Sequence, residues 1–505
     1  MTIRELLKRI ESSCKRTGYE IELKSGRDDL DIKGIAYDSR LVERDYLFVA
    51  IKGFSSDGHS YIKDAISRGA TAVVTDGAVG SGFITGLSSN ERLAHMVSVH
   101  SRKALAYLSA AFYGEPSNEI VLIGITGTNG KTTTSYIIKT ILEEWGEETG
   151  LVGTINYIIK DRIIKAPHTT PESLDLQRYL REMVDKRIGY AVLEVSSHAI
   201  ALERIECCSF KGAVFTNFSQ DHLDFHGSME EYFNAKSRLF TYLRSDGFAV
   251  MNYDDPMIRQ LSERLDCRVI TCGLQEGADI KAVNIMPHEK EKRLRFKIVT
   301  PDDSYEVETG LYGRFNVYNI LFAAGVAHAL GVDKEAIKKG IAHVRTVPGR
   351  FEIIDEGQGF LCIVDYAHTE DALRNLIQEA RLLTKGRVIT VFGCGGNRDR
   401  TKRPLMGSVA SEMSDLVVVT SDNPRDEEPM DIIKDILNGI KADNYMIQPD
   451  RAEAIREAVS IARDGDTVLL AGKGHEDYQE IKGIRIDFDD REALRRAIRE
   501  RIRRS

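Results

Sequence analysis

One short run governs what this chain can fold into: Gly124-Ile-Thr-Gly-Thr-Asn-Gly-Lys-Thr-Thr-Thr134, set between the apolar Val121-Leu-Ile123 and Ser135-Tyr-Ile-Ile-Lys-Thr-Ile-Leu-Glu-Glu144. The order predicts strand, glycine loop and helix, a unit that belongs in an α/β fold with a mostly parallel sheet. Three glycines let the backbone turn tightly and aim successive N–H groups at one point, and the following helix adds the positive end of its dipole there. An anion fits that point, foremost a nucleotide phosphate. Lys131 is spaced to reach outer phosphates and the Thr132 hydroxyl to hold Mg²⁺. The usual phosphate loop has a glycine where this chain has Ile125, so the match is to the shorter Gly127-x-x-Gly130-Lys-Thr. An ordinary glycine turn between strand and helix is the plain alternative.

At 505 residues the chain is too long for one hydrophobic core, and about three domains are expected. With 42% hydrophobic and 29% charged residues it has a globular composition, and no window approaches the ~20 apolar residues that span a bilayer. The first residues, Met1-Thr-Ile-Arg-Glu-Leu-Leu-Lys-Arg-Ile, are charged and lack an apolar core with a cleavage site, so a cytoplasmic protein without membrane insertion is expected. Seven cysteines show no metal-ligand spacing, which fits reduced thiols. The net charge of −8 leaves no general nucleic-acid footprint, and the basic run 491–505 reads as the solvated face of a terminal helix.

Short β-type runs at 46–51 and 72–75 flank a helical stretch at 61–67, a small α/β unit, followed by a polar segment at 76–90 and a helix near 102–112. From 121 to 346 strands, with candidates at 191–195, 212–216 and 248–251, alternate with helices, and 280–307 reads as an antiparallel extension before a helix at 317–330. After Val347-Pro-Gly-Arg350 the alternation restarts, with strands at 361–365, 387–392, 416–420 and 467–471 and helices at 371–383 and 451–463. The expected domains are 1–102, 103–346 and 347–505, the last a doubly wound, Rossmann-like sheet whose ligand sits at the carboxyl ends of its strands.

Two strand ends in the central part carry unusual polar residues. Glu194 ends an apolar strand, where a carboxylate needs a cation partner, so Mg²⁺ competes with a local cap. His222 lies just beyond another strand. His222 and His226 are spaced like a zinc pair, but no third ligand or general-base glutamate accompanies them, which argues against zinc and leaves His222 as a candidate Mg²⁺ or phosphate residue. Lys236, Asn319 and Arg350 are ambiguous in isolation.

Together, Thr126-Gly-Thr-Asn-Gly-Lys-Thr-Thr133, Glu194-Val-Ser-Ser-His198, Thr216-Asn-x-x-x-Asp-His222, Asn316-x-x-Asn319, Pro348-Gly-Arg350 and Asp365-Tyr-Ala-His368 resemble the Mur ligases in order and spacing, over nearly the whole chain. These are ATP-dependent amide ligases of bacterial peptidoglycan synthesis. Asp38-Ser-Arg40, Phe392-Gly-Cys-Gly-Gly-Asn-Arg-Asp399, Asp422-Asn-Pro-Arg425 and Gly472-Lys-Gly-His-Glu-Asp-Tyr-Gln479 look like the branch that adds the third peptide residue. The resemblance implies that Gly127, Thr128, Asn129, Gly130, Lys131, Thr132 and Thr133 cradle ATP. It further implies that Asn319 and Asp365 meet adenine and ribose, and Arg350 the γ-phosphate, from domains that close over ATP. By the same resemblance Lys131, Glu194, His222 and Lys236 are catalytic, and Thr132, Glu194, His222 and Lys236 surround Mg²⁺, with Lys236 carrying a CO₂-derived carbamate as N6-carboxylysine. Tyr37, Ser39, Thr169, Thr170, Ser196 and Arg204 match positions that hold the UDP-muropeptide. The chain departs from some relatives at Leu202 and at Phe54-Ser-Ser56.

The implied substrates are UDP-N-acetylmuramoyl-L-alanyl-D-glutamate and meso-diaminopimelate, with Arg398, Asp422, Asn423, Pro424, Arg425, Gly472 and Glu476 around the amino acid. Diaminopimelate differs from L-lysine mainly by a distal carboxylate, and a guanidinium such as Arg425 can grip that group bidentately. The plain alternative pairs Arg425 with Asp426 or Glu427. L-Lysine as the added residue, another ligase of the superfamily such as folylpolyglutamate synthetase, and a nucleotide-binding scaffold without catalysis remain open. A monomer is expected.

Overall fold

A computed structural model describes residues 1–14, 19–53, 56–77, 93–288 and 293–504. Phe54, Ser55 and most of the polar segment expected at 76–90 lie outside the described residues. The chain divides into two compact units: Met1–Gly124, Glu147–Lys211 and Arg238–Gly247 form one, and Ile125–Gly146, Gly212–Ser237 and Phe248–Ser505 the other.

The first unit opens with strands β1 (Ile21–Ser25), β2 (Gly34–Ala36), β3 (Tyr46–Val49), β4 (Ala70–Asp76) and β5 (Ala94–Ser98), ordered β1-β5-β4-β3-β2. Only the edge strand β1 is antiparallel. Side chains alternate across a strand. Leu47 and Val49 accordingly join Leu105 and Leu108 of the helix Ser101–Tyr113 on one face, while Phe48 and Ala50 join Ile62 and Ala65 of the helix Ile62–Ser67 on the other. Burial on both faces explains why these strands read as continuous apolar runs. The same unit holds the start of β6 (Val121–Thr126), with β7 (Thr149–Val152), β8 (Asn156–Ile159), β9 (Arg162–Lys165) and β10 (Tyr190–Glu194), in the order β6-β10-β7-β8-β9. β10 runs parallel to β7, and β7, β8 and β9 form an antiparallel meander.

The second unit takes in the ends of β6, β11 (Phe210–Phe215) and β12 (Leu243–Asn252), with β13 (Arg268–Gly273), β14 (Ile280–His288), β15 (Arg293–Val299) and β16 (Ser304–Thr309), in the order β16-β15-β14-β13-β12-β11-β6. β12, β13 and β14 are parallel, whereas β14, β15 and β16 are antiparallel, the extension expected at 280–307. The helix Lys131–Glu144 packs closely on the helix Lys334–His343, where a β-carbon at Gly340 would strike the Ile141 backbone.

The last sheet comprises β17 (Glu352–Ile353), β18 (Leu361–Asp365), β19 (Val388–Phe392), β20 (Leu416–Val419), β21 (Tyr445–Ile447) and β22 (Thr467–Ala471), ordered β17-β18-β22-β19-β20-β21 and parallel except for β17. One face packs on the helices Glu370–Leu383, Lys402–Met413 and Pro429–Leu437, the other on Arg451–Ile461 and Asp490–Arg504. This is the doubly wound arrangement, with its loops at the carboxyl ends of β18, β19, β20 and β22. A hairpin of β23 (Tyr478–Ile481) and β24 (Ile484–Asp487) follows. Among the described residues no helix is long and apolar enough to cross a membrane.

Candidate active site

Angle and space both require glycine in the phosphate loop. Gly127 and Gly130 have φ of 142° and 84°, a region that costs other residues strain. A β-carbon at Gly127 would strike Thr216 Oγ1, and one at Gly130 would strike Asn319 Oδ1. Gly130 caps the helix Lys131–Glu144 without a side-chain bond, so the positive end of that helix opens onto the loop. The segment after β11 clamps the loop from outside. Asn129 N–H donates to Asn217 Oδ1 (2.8 Å), Thr216 Oγ1 (2.6 Å) and Asn217 Nδ2 (3.0 Å) donate to the Asn129 carbonyl, and Ser219 N–H donates to Thr128 Oγ1 (3.0 Å).

Two lysines meet at one loop carbonyl. Lys131 Nζ donates to the Gly127 and Thr128 carbonyls, each at 2.9 Å. Lys236, on the helix Met229–Ser237, is 1% exposed and donates to the same Gly127 oxygen at 2.8 Å, with its Nζ 4.5 Å from the Tyr232 ring centre. Burial holds its amine well below the ordinary lysine range, the charge of Lys131 lowers it further, and Asp221 opposes both. Thr132 and Thr133 are buried in the first helical turn. Arg350 donates through Nη2 to Thr132 Oγ1 (3.3 Å) and lies 4.4 Å over the Tyr366 ring.

Asn319 and Asp365 are held by the protein itself. Asn319 Oδ1 accepts from Thr134 Oγ1 (3.3 Å) and its Nδ2 donates to Asn316 Oδ1 (3.0 Å), placing the amide as a prop against Gly130. Asp365 accepts from the Phe351 and Ala367 N–H groups, both at 2.7 Å, which pins the turn carrying Arg350. Burial raises its carboxyl, against the charge of Arg350.

His222 adopts φ 55° at the start of the short helix Leu223–His226, with Nε2 3.3 Å from Asp221 Oδ2. Asp221, quoted in the motif Thr216 to His222 without a role of its own, is also 3.5 Å from His368 Nε2 and 3.8 Å from Lys402 Nζ. Burial would raise its carboxyl, but the His368 hydrogen bond and the charges of His222, His368 and Lys402 pull it well below the usual range. Its neighbours His222 and His368 each sat in a recognised motif; nothing in the spacing joined the two.

At the carboxyl ends of β20 and β22 a second polar group forms. Asn423 is 2% exposed, donates through Nδ2 to Glu476 Oε2 (2.8 Å), and accepts at Oδ1 from Lys473 Nζ (3.1 Å) and Glu480 N–H (3.0 Å). Asp422 Oδ1 accepts from Asn423 N–H (2.6 Å), and its Oδ2 would be struck by a β-carbon at Gly472, which has φ 115°. Pro424 presses its carbonyl against Gly396, and Arg398 is exposed. Arg425, at φ 52°, donates through Nη1 to the Gly396 carbonyl (2.8 Å), and its Nε is 3.8 Å from Glu480 Oε2. Glu427 is gripped instead by the fully buried Arg403, at 2.8 and 2.9 Å.

The remaining expected residues lie in the first unit. Glu194 is fully buried; Oε1 accepts from Thr154 N–H (2.9 Å) and Oε2 from Thr154 Oγ1 (2.8 Å). No motif had marked Thr154. Thr170 Oγ1 donates to the Glu194 carbonyl (2.8 Å) and accepts from Ser196 N–H (3.1 Å); Thr169 Oγ1 lies 3.2 Å from Thr154 Oγ1. Arg204 donates to the Thr170 carbonyl (2.9 Å) and pairs at 3.4 Å with Glu172, which Arg102 also holds at 3.0 Å. Tyr37 donates to Asp175 Oδ2 (2.8 Å), and burial followed by Asp175 raises its hydroxyl. Ser39 is buried at the start of a turn capped by Asp38.

A glycine loop closing a sheet strand at an open helix N-terminus, together with a doubly wound sheet carrying its own polar site, defines a phosphate-loop α/β protein. Residues 31–113 match the Mur ligase family catalytic domain, 125–327 the Mur ligase middle domain and 349–474 the Mur ligase glutamate ligase domain. The chain belongs to the Mur ligase family. It is 46% identical over 479 residues to the UDP-N-acetylmuramoyl-L-alanyl-D-glutamate--2,6-diaminopimelate ligase of Geobacillus kaustophilus (strain HTA426), covering 93% of this chain and 96% of that one. The ligase of the same name from Clostridium tetani (strain Massachusetts / E88) is 41% identical over 506 residues, covering 99% and 100%. A solved structure of a ligase of that name is 31% identical, covers 99% of both chains and has a TM-score of 0.66. The MurF ligase from Thermotoga maritima, solved in complex with ADP, shares the fold at 21% identity and TM-score 0.65, over 95% of this chain and 100% of that one.

Proposed function

We propose that this chain is an ATP-dependent amide ligase that adds meso-diaminopimelate to the D-glutamate γ-carboxylate of UDP-N-acetylmuramoyl-L-alanyl-D-glutamate in peptidoglycan synthesis. The observation that carries the reading is the phosphate loop with Lys131 and the buried Lys236 on one carbonyl, in a chain similar to diaminopimelate ligases over nearly its full length. In this reading a γ-carboxylate oxygen attacks the γ-phosphorus of ATP, ADP leaves, and an acyl phosphate forms. The amine nitrogen of diaminopimelate then attacks the acyl carbon, phosphate departs from the tetrahedral intermediate, and the ammonium formed loses its proton. The protein's task is placement and charge neutralisation. Lys131, the helix N-terminus and Arg350 supply positive charge at the phosphates.

Mg²⁺, when bound, neutralises phosphate charge and orients oxygens. It ordinarily takes one or two carboxylates besides phosphate oxygens and water, and Thr132 and Glu194 are oxygen donors of the right kind. An amine at Lys236 is not. A deprotonated amine is the form that attacks CO₂: Nζ bonds the carbon, loses a proton and becomes a carbamate, which gives Lys236 the oxygens and negative charge a Mg²⁺ site needs. The depressed Lys236 amine supports this assignment. His222, held by Asp221, is a further candidate for the metal or the phosphate. We place the muropeptide in domain 1–102 together with Thr169, Thr170, Ser196 and Arg204, ATP in 103–346 with Arg350 and Asp365, and the amino acid in 347–505 around Arg425. The working form is a cytoplasmic monomer.

Phosphate release from ATP, measured with the muropeptide and either meso-diaminopimelate or L-lysine, tests the reading. Release with diaminopimelate and little with lysine is expected; equal rates would refute the role of Arg425, and none with either would favour a scaffold. Lys236→Ala is expected to be inactive, unrestored by bicarbonate and partly restored by a short carboxylic acid.

A further inference from the structure

The amino-acid end of the site contains a cation that no assigned role uses. Lys473 follows β22 between two glycines in left-handed conformations, Gly472 at φ 115° and Gly474 at φ 52°. Its side chain is fully buried, although a lysine is seldom buried without a fixed partner. The partners are specific: Nζ lies 3.0 Å from Glu476 Oε2 and 3.1 Å from Asn423 Oδ1, with the Tyr478 ring centre at 5.5 Å. Asn423 Nδ2 donates to the same Oε2 at 2.8 Å. Two donors, one of them charged, therefore converge on one oxygen of Glu476, whose side chain is 14% exposed.

We infer that Lys473 is a positioning residue for amino-acid selection, which locks Glu476 through Oε2 so that Oε1 is presented to the distal ammonium of the incoming amino acid. This rests on the proposed reading of Glu476 as a substrate residue and adds the group that aims it. The lock has an electrostatic consequence. A carboxylate already bonded to a buried ammonium attracts a second ammonium less than a lone one does, so an amino acid offering only a distal ammonium gains little at Glu476. One offering ammonium and carboxylate together also engages Arg425, with both groups in fixed geometry. Lys473 thereby holds down the affinity for lysine, while the geometry it fixes at Glu476 strengthens binding of diaminopimelate.

Steady-state kinetics of the full chain with Lys473→Met, Glu476→Gln and the double variant tests this, with Lys473→Gln as a neutral substitute that retains hydrogen bonding should the methionine fail to fold. Loss of a charge-assisted bond predicts a roughly tenfold to hundredfold rise in KM for diaminopimelate, an unchanged KM for ATP and a smaller preference over lysine. In the Glu476→Gln background the Lys473 substitution is expected to add nothing further, since it acts through Glu476. A KM for diaminopimelate that stays at the wild-type value, a full additive effect in the double variant, or equal rises in all three substrates' KM would overturn the inference. An unmodified enzyme that turns over neither amino acid would overturn this inference and the proposed reaction together, whereas normal turnover with an unchanged Lys473→Met would overturn this one alone.

Discussion

Asp490→Ala is the sharpest structural perturbation available, because it breaks an ion pair with no exposure on either side. Arg451 donates through Nε (2.7 Å) and Nη2 (2.6 Å) to the two Asp490 oxygens, and both side chains are fully buried. The same guanidinium donates to the Ser421 carbonyl at 3.2 Å and the Ala471 carbonyl at 3.0 Å. It thus ties the terminal helix Asp490–Arg504 to the ends of β20 and β22, from which Asn423, Arg425, Lys473 and Glu476 project. Removing Asp490 leaves a buried guanidinium with two neutral carbonyls, a loss of about 3–5 kcal/mol. A chain of 505 residues does not unfold in one step, so the readout is native-state hydrogen exchange of peptides from 451–461 and 490–504. At ~1.36 kcal/mol per decade, protection there should fall by about two to four decades, while the helix Lys131–Glu144 keeps its protection. Replacing both partners, as Arg451→Met with Asp490→Leu, should recover most of the loss, because well-packed apolar groups carry no desolvation cost. A fall of less than about tenfold, or an equal fall in the helix Lys131–Glu144, would refute the reasoning.

Lys236→Met should abolish turnover yet stabilise the CO₂-free protein at neutral pH. Burial, foremost, depresses the Lys236 amine well below 10.5 in the folded chain, so between that depressed value and 10.5 the unfolded chain holds more of the proton than the folded chain. The advantage of the methionine, read from native-state hydrogen exchange of the helix Met229–Ser237, should shrink as pH rises toward 10.5; a destabilised variant at neutral pH would contradict this. Glu427→Gln tests the opposite sign. The Arg403 hydrogen bond, foremost, holds the Glu427 carboxyl at about 2 instead of 4.5, so its stabilisation, on the order of 3 kcal/mol, is complete above 4.5 and lost as pH falls through about 2. Unfolding of the two proteins should converge in acid and differ at neutral pH. Gly130→Ala should cost roughly 1–2 kcal/mol for the left-handed backbone and, by displacing Asn319, remove the thermal shift that ATP produces; an undiminished ATP shift would show that the loop tolerates a β-carbon.

What could be read in the sequence followed burial. The strands at 361–365 and 467–471 coincide with β18 and β22 because a strand covered on both faces is a continuous apolar run with polar ends. Strand β9 and the hairpin β23–β24 carried no such signal: β24 is exposed throughout and its alternation is carried by Ile484, Arg485 and Ile486. The same division holds at the site. Glycine loops, and motifs whose residues act on one local backbone, were legible. Asp221, Thr154 and Lys473 were not, since each takes its meaning from side chains brought in by other segments: His368 and Lys402, Glu194, and Asn423. Asn319 and Asp365 make the converse case. Their places in the motifs were evident, but their commitment to propping Gly130 and pinning the Arg350 turn emerges only from packing.

The Gly127 carbonyl orders these residues into one device. It accepts from Lys131 at 2.9 Å and from Lys236 at 2.8 Å, and two ammonium groups on one oxygen repel each other. Burial decides which yields. Lys131 is half-buried, whereas Lys236 is enclosed at 1% exposure and bears the full desolvation cost of a charge, which lowers its amine well below the ordinary lysine range. Behind the loop cation the chain thereby holds a lysine whose amine is shifted toward its neutral form. Asp221 lies close enough to pull Lys236 back toward its charged form, yet its own carboxylate is engaged by His222, His368 and Lys402. The engagement of Asp221 by His222, His368 and Lys402 therefore bears on the lysine's chemistry along with the loop carbonyl it touches.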